Sequence, residues 1–490
     1  MPSPRTTKEP SREAHQSPAL ALARALDHAV AWLDGLDCSP VGSTTNRAQL
    51  LSRLGGDLPS GGTDPAKVVD DLVAATQGGH IGTAGGRFFA WVIGGSLTSA
   101  LAADWLTSTW DQPSALYQSG PAASVVEEVA GSWLKELLDL PRESSFAFTT
   151  GCQLAHFTAL AAARHAVLSR MGWDVGKSGL HAAPRIRVLT SEHRHSSIDR
   201  AVRFLGLGAD SLESLATDDE GRIKPLSLEQ ALSGRTDPII VVLNAADLNI
   251  AACDPFLELI PMAKSVGAWV HVDGAFGLFA RASRAKRSLL EGVEAADSWA
   301  TDAHKWLNVP FDCGIVFVRD TEAHRASMTV NAAYMPPTAQ GRDQIDWTPE
   351  WSRRSRGFAV YAAIRELGTD GIEALIDRTS ALCCELVNSL GALPTAEILW
   401  TSQLNQGLVR FRDPRHAARE VDHDAWTDAV ISEVNATGEA FFSGTTWRGR
   451  RAMRVSVVNW RTTRADVQRA IAAVTAVLRA RSEPAVAESA

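Results

Sequence analysis

Between residues 185 and 320, short runs that are apolar throughout alternate with longer runs in which apolar residues recur at helical spacing. IRVLT, PIIVVLNA, AWVHVD and GIVFVRD are of the first kind; CDPFLELIPMAKSVG and the second half of SEHRHSSIDRAVRFLG are of the second. A strand without a polar face must be covered on both sides. The alternation therefore predicts a mainly parallel sheet with helices on both faces, an α/β fold. Helical spacing also marks residues 125–140, with apolar residues at 126, 129, 133, 134 and 137 and Pro141 as terminator. A last helix starts at a capping box, Thr463 with Asp466, and carries Val467, Ile471, Val474 and Leu478 on one face.

The flanks follow other patterns. From Ala19, ALALARALDHAVAWLDGL is helix-like, GGDLPSGGTDP breaks the pattern, and a second helical run begins near Ala66. Residues 321–357 are irregular, and a stretch of that length inside an enzyme is expected to be an active-site loop or lid. A helix over 358–367 follows. Helix–strand alternation comes next, with ILWTSQLNQGLVRFR as a strand and FFSGTTWRGRRAMRVSVVN as a hairpin. The expected organisation is a disordered tail (1–18), an N-terminal helical segment (19–95), a large domain (96–366), a small α+β domain (367–480) and a second tail (481–490).

Composition narrows the function. The 490 residues are 45% hydrophobic and 21% charged, with a net charge of −8, ordinary values for a globular protein. No Lys/Arg tract is dense enough to follow a phosphate backbone, so nucleic acid is not an expected partner. No apolar run approaches the roughly 20 residues of a membrane span. The polar, Pro-rich N-terminus lacks a signal-peptide core, which makes the cytoplasm the expected location. Cys38, Cys152, Cys253, Cys313, Cys383 and Cys384 show no CxxC pairing, against a disulfide framework or a metal site.

Chemistry enters at residues 297–312, DSWATDAHKWLNVPFD, with Lys305 at the centre; upstream, the strand AWVHVD ends on Asp273. Pyridoxal 5′-phosphate needs this pair, a lysine for the Schiff base and a carboxylate for the pyridinium nitrogen. SFAFTTGCQLAHFTAL passes from an apolar strand through a Thr-Thr-Gly turn into a small-residue helix, whose N-terminus is a ready anion site. Ligands of parallel sheets sit at the carboxyl ends of strands, and Asp273, His195 and Lys305 each fall at or near such an end. GGHIGTAGGRFFAWVIGG, residues 78–95, reads either as a pocket wall or as a glycine-rich connection with packed aromatics.

Taken together, Thr149-Thr150-Gly151-Cys152-Gln153, His195-Ser196-Ser197, Asp273-Gly274-Ala275 and His304-Lys305 resemble the group II pyridoxal-phosphate-dependent amino-acid decarboxylases. The aromatic-L-amino-acid decarboxylase branch is the nearest, and the resemblance runs from Arg87 to the region of Trp460. It implies a fold-type-I enzyme with a mainly parallel, seven-stranded-type sheet, and a homodimer with its sites at the subunit interface. It further implies that Lys305 forms the Schiff base, Asp273 pairs with the ring nitrogen, His195 stacks on one ring face and Ala275 lies against the other. Gly151, the Cys152 and Gln153 N–H groups and His304 are the implied phosphate ligands. Trp91, Ile93 and Arg454 are the implied substrate contacts. Read without the resemblance, His195 is a turn histidine and Arg454 a surface arginine on a strand.

The implied reaction is decarboxylation of an L-amino acid, apolar or aromatic, to an amine and CO2. The alternatives are decarboxylation-coupled oxidative deamination to an aldehyde, or aminotransferase chemistry on the same scaffold. Two departures from the family pattern stand out. Gln344 aligns with the loop tyrosine that delivers a proton to Cα, and the nearest tyrosine is Tyr334. Asp302 stands where the family often has Asn beside the phosphate; a carboxylate there repels the dianion unless it is paired or turned away.

Overall fold

The computed structural model describes residues 18–329, 341–415 and 419–482; Tyr334 and most of both tails lie outside the described residues. Seven strands form the central sheet: β1 (Ser145–Thr149), β2 (Arg187–Ser191), β3 (Leu212–Leu215), β4 (Ile239–Asn244), β5 (Trp269–Asp273), β6 (Ser298–Asp302) and β7 (Gly314–Val318). Their order is β1-β7-β6-β5-β4-β2-β3. Only β7 runs against the rest, antiparallel to both β1 and β6. Every strand except the edge strand β3 is buried along its whole length, as runs without a polar face require.

Register fixes which residues meet at the carboxyl edge. Asn244 lies opposite Asp273, Asp273 opposite Ala300, and Asp302 opposite Gly314, which in turn faces Thr149. Helix Cys152–Arg170 covers the sheet with alanines, Leu160, Val167 and Leu168, nearly all buried. Its small residues let the backbone lie close to the strands.

A second sheet, β8 (Ala396–Trp400), β9 (Gln406–Phe411), β10 (Ser443–Trp447) and β11 (Arg450–Ser456), is wholly antiparallel in the order β10-β11-β9-β8. Helices Glu420–Ala436 and Arg464–Ser482 close its core. The Thr463–Asp466 capping box is present, with Val467, Val474 and Leu478 buried. The single strand expected over ILWTSQLNQGLVRFR is two strands, because Thr401–Asn405 turns the chain so that both halves can pair. The helix expected over 358–367 continues to Gly391 past a break at Gly368, whose φ of 62° interrupts the helical path. The N-terminal pattern resolves into Pro18–Gly35, Arg47–Leu54 and Pro65–Thr76, and Asn46 caps the second with a full capping box.

The described parts of residues 321–357 are more ordered than the irregular pattern implies. They begin as helix Thr321–Met328, and the return from 341 onward is held to the body. The Arg342 guanidinium lies 4.2 Å from the Phe146 ring and 4.8 Å from that of Trp347, and it donates to the Phe146 carbonyl and the Gln344 side chain. Arg353 forms a two-bond ion pair with Glu127 (2.9 and 3.0 Å), with the two side chains 1% and 0% exposed. Removing one partner of such a pair strands a buried charge. Arg353→Met is therefore expected to lower the stability to unfolding by about 3–5 kcal/mol, seen as a lower denaturant midpoint with an unchanged far-UV spectrum in buffer.

Candidate active site

The carboxyl edge of the large sheet opens into a cavity of about 310 Å³ lined by Asp273, Lys305, His195, Ala275, Cys152, Gln153 and Asp302, among others. These side chains come from four stretches. Asp273 closes β5, and its Oδ1 accepts from the Ala275 N–H at 3.1 Å. Lys305 follows the end of β6, His195 follows β2, and Cys152 opens the helix after β1. Gly151 sits at that helix start with φ 140°, a conformation that favours glycine.

Burial opposes ionisation of Asp273, yet neighbouring His156, then His195 and Lys305, outweigh it and hold the carboxyl well below the ordinary range. Burial likewise works against the Lys305 ammonium. Asp302 more than compensates, so the amine stays above the usual lysine value. His195 stands exposed at the cavity mouth, but enough protein surrounds its ring that desolvation lowers its pKa, with Asp273 opposing. Its Nδ1 accepts from the Ser197 N–H at 3.2 Å and lies 2.7 Å from Ser197 Oγ.

Asp302 is paired rather than repelling. Its Oδ1 accepts from the Cys152 N–H at 2.6 Å, and its Oδ2 lies 3.0 Å from Lys305 Nζ and 3.7 Å from His304 Nε2. The Cys152 N–H expected to face a phosphate is thus engaged by this carboxylate. His304 sits behind the cavity wall. Its Nδ1 accepts from the Cys313 N–H at 3.1 Å and its ring lies against Phe311 at 4.3 Å.

Other expected contacts lie elsewhere in the chain. Trp91 is on the outer surface near Phe88 and Phe441, and Ile93 packs with Val41, Phe88 and Ala90. Neither lines the cavity. Their segment nevertheless backs the site, because a methyl group on Gly94 would overlap the Lys305 carbonyl oxygen. Arg454, in the middle of β11, is buried, with its Nε 3.3 Å from Gln406 Oε1 and its Nη2 unpartnered. Desolvation brings its pKa down to about 10, with Asp247 opposing. Gln344 is 1% exposed beside Arg342 and lies off the cavity.

The sequence reading missed His193, Arg200, Asn244, Ala246, Leu248 and Phe276, which complete the lining. Arg200 is a cation at the rim where none was expected, and its guanidinium lies 5.4 Å from the Phe204 ring. Cys152, His156 and Asp273 place ligand atoms within 4.8 Å of one another. Burial and the two nearby aspartates keep the Cys152 thiol protonated, however, which makes the cluster a poor metal site.

The donor set fits pyridoxal 5′-phosphate: an ionised acid for a pyridinium nitrogen, a lysine amine, an imidazole at the mouth, the small Ala275, and a helix N-terminus for the phosphate. Comparison with known proteins agrees. Residues 66–413 match the pyridoxal-dependent decarboxylase conserved domain. The chain is 27% identical to the aromatic-L-amino-acid decarboxylase of Bacillus atrophaeus, over 90% of this chain and 91% of that protein. It is 31% identical to the L-2,4-diaminobutyrate decarboxylase of Rhizobium meliloti (strain 1021), over 76% of this chain and 74% of that protein. It shares its fold with the crystal structure of Oryza sativa TDC with PLP and tryptamine, at a TM-score of 0.89 and 24% identity, over 96% of this chain and 100% of that one.

Gly94→Ala is expected to displace the Lys305 turn and abolish retention of pyridoxal phosphate. Cofactor absorbance of the purified protein after gel filtration checks this, with Gly61→Ala, which has open space around it and no left-handed backbone, as the control substitution.

Proposed function

The chain belongs to the pyridoxal-dependent decarboxylase family and uses pyridoxal 5′-phosphate to remove CO2 from an amino acid, and we propose that its substrate is an apolar or aromatic L-amino acid released as the amine. The observation that carries the placement of the chemistry is the convergence of Asp273, Lys305 and His195 on one cavity. When bound, the cofactor supplies an electron sink that makes loss of the carboxylate feasible.

The chain's own residues supply the rest. Asp273, held ionised, keeps a proton on the ring nitrogen. Lys305 is the amine that would hold the cofactor and move protons at its Nζ. His195 would cover one face of the ring, and the small Ala275 would leave room for the other. The turn at Gly151 and Gln153, with Cys152 and His304 beside it, receives the phosphate. Arg454, buried with an unpartnered Nη2, orients the substrate from the small sheet.

Ala246, Leu248 and Phe276 on the wall support an apolar side chain. Arg200 at the rim favours a second reading, an acidic one. Incubation with a panel of aromatic, aliphatic and acidic L-amino acids, assaying CO2, amine, aldehyde and peroxide, is expected to give CO2 and amine in equal amounts from an aromatic or apolar member. Turnover confined to acidic substrates would support the Arg200 reading, and matched aldehyde and peroxide would replace the amine product. Lys305→Ala should lose turnover and the visible absorbance of the bound cofactor together.

A homodimer is part of the same proposal. Helix Pro18–Gly35 has no buried residue, and Leu22, Leu26 and Val30, spaced four apart, are 46–59% exposed, a face that a second copy of the chain would cover. Sedimentation is expected to show a dimer, and Leu22→Glu with Leu26→Glu to yield monomer; a monomeric wild-type protein would remove this part. The cytoplasm is the proposed location, in keeping with six free cysteines. Among the described residues no helix is long and apolar enough to cross a membrane.

A further inference from the structure

A chain of buried polar groups rises along one face of the large sheet and ends on Asp273. Strand periodicity puts Trp269, His271 and Asp273 of β5 on the same face, and register sets Ser298 of β6 opposite His271. Trp269 Nε1 donates to Ser298 Oγ at 2.9 Å, and Ser298 Oγ lies 2.9 Å from His271 Nδ1. His271 Nε2 lies 2.9 Å from His156 Nδ1, and His156 Nε2 lies 3.4 Å from Asp273 Oδ2. Trp269, His271, Ser298 and His156 are all 0–1% exposed. Water cannot replace a missing partner there.

Directions follow from donor chemistry. An indole N–H can only donate, so it occupies a lone pair of Ser298 Oγ. Among the described residues, the only acceptor for the Ser298 hydroxyl proton is His271 Nδ1. His271 then carries its proton on Nε2 and donates to His156 Nδ1, which leaves the His156 proton on Nε2, facing Asp273.

We propose, resting on the reading of Asp273 as the partner of the cofactor nitrogen, that Trp269, Ser298, His271 and His156 act as positioning residues. They orient the Asp273 carboxylate and fix the His156 ring with its Nε2 toward Asp273 Oδ2, so that the carboxylate is held in place for the pyridinium. Burial pushes His271 down to about 3, so this ring takes part in the row as a neutral imidazole with one donor and one acceptor nitrogen.

The test measures pyridoxal phosphate affinity of the apoprotein and the ring-nitrogen NMR signal of cofactor labelled with ¹⁵N, the second being a readout that a merely structural role would not move. His156→Phe is expected to weaken affinity about ten-fold, as loss of a hydrogen bond to a charged group does, and to shift the nitrogen signal toward the unprotonated form. His156→Gln, which can donate and accept in the same direction, should restore most of both. Ser298→Ala, a small change remote from the cofactor and usable if His156→Phe fails to fold, should move both readouts the same way and add little to the His156→Phe effect in the double variant. Wild-type affinity and an unshifted signal in His156→Phe or in Ser298→Ala, or full additivity, would overturn the proposal. A wild-type protein that bound no pyridoxal phosphate would instead sink the functional reading itself.

Discussion

The carboxylate of Asp302 accepts from the Cys152 N–H through one oxygen and faces the Lys305 ammonium through the other, and the relative positions of the helix start and the lysine depend on that bridge. Cys152 opens the helix after β1 and Lys305 the turn after β6, so a single side chain ties together two strand ends separated in the sheet by β7. The antiparallel β7 makes this possible. Its first residue, Gly314, lies opposite both Thr149 and Asp302, and a side chain there would collide with Gly151. Lys305 remains cationic against the pull of burial because the acid is close. The same proximity stops the acid from being a bare charge beside an incoming phosphate.

Around this bridge the structure separates rigid support from what the site can vary. Fully buried strands carry Asp273 and Asp302, and the small-residue helix Cys152–Arg170 lies close against them. Polar groups inside so apolar a layer are costly without partners. In the row Trp269, Ser298, His271 and His156 each side chain meets the next on the way to Asp273. Side chains at the mouth, Arg200 and Leu248 among them, stand outside this row and are where substrate preference can change without disturbing the anchor.

The segment after residue 340 shows how far anchoring extends. Arg342 lies between two aromatic rings, and Arg353 and Arg356 are tied to Glu127, Glu350 and Asp312. Irregular backbone was legible in that part of the sequence; its attachment was not. An arginine reads as a surface residue until the fold supplies the buried acid or ring that accepts it.

By itself, the sequence determined the layered α/β fold, the strands that end at the site and the capping box of the last helix, and it singled out Asp273, Lys305 and His195, which the structure brings to one cavity. These rest on local periodicity and contiguous motifs, which survive whatever the chain does at long range. Part of the buried row was present in the pattern, since His271 lies two residues before Asp273 on the same strand face, and His156 lies four residues after Cys152 on the same helix face. Nothing local marked Ser298. Only the tertiary structure decided that Asp302 would be paired, that Trp91 and Ile93 would lie off the cavity, and that Arg200 would reach its rim. Each of those outcomes depends on strand register and on which helix face meets the sheet, and contacts of that kind are set by packing between segments far apart in the chain.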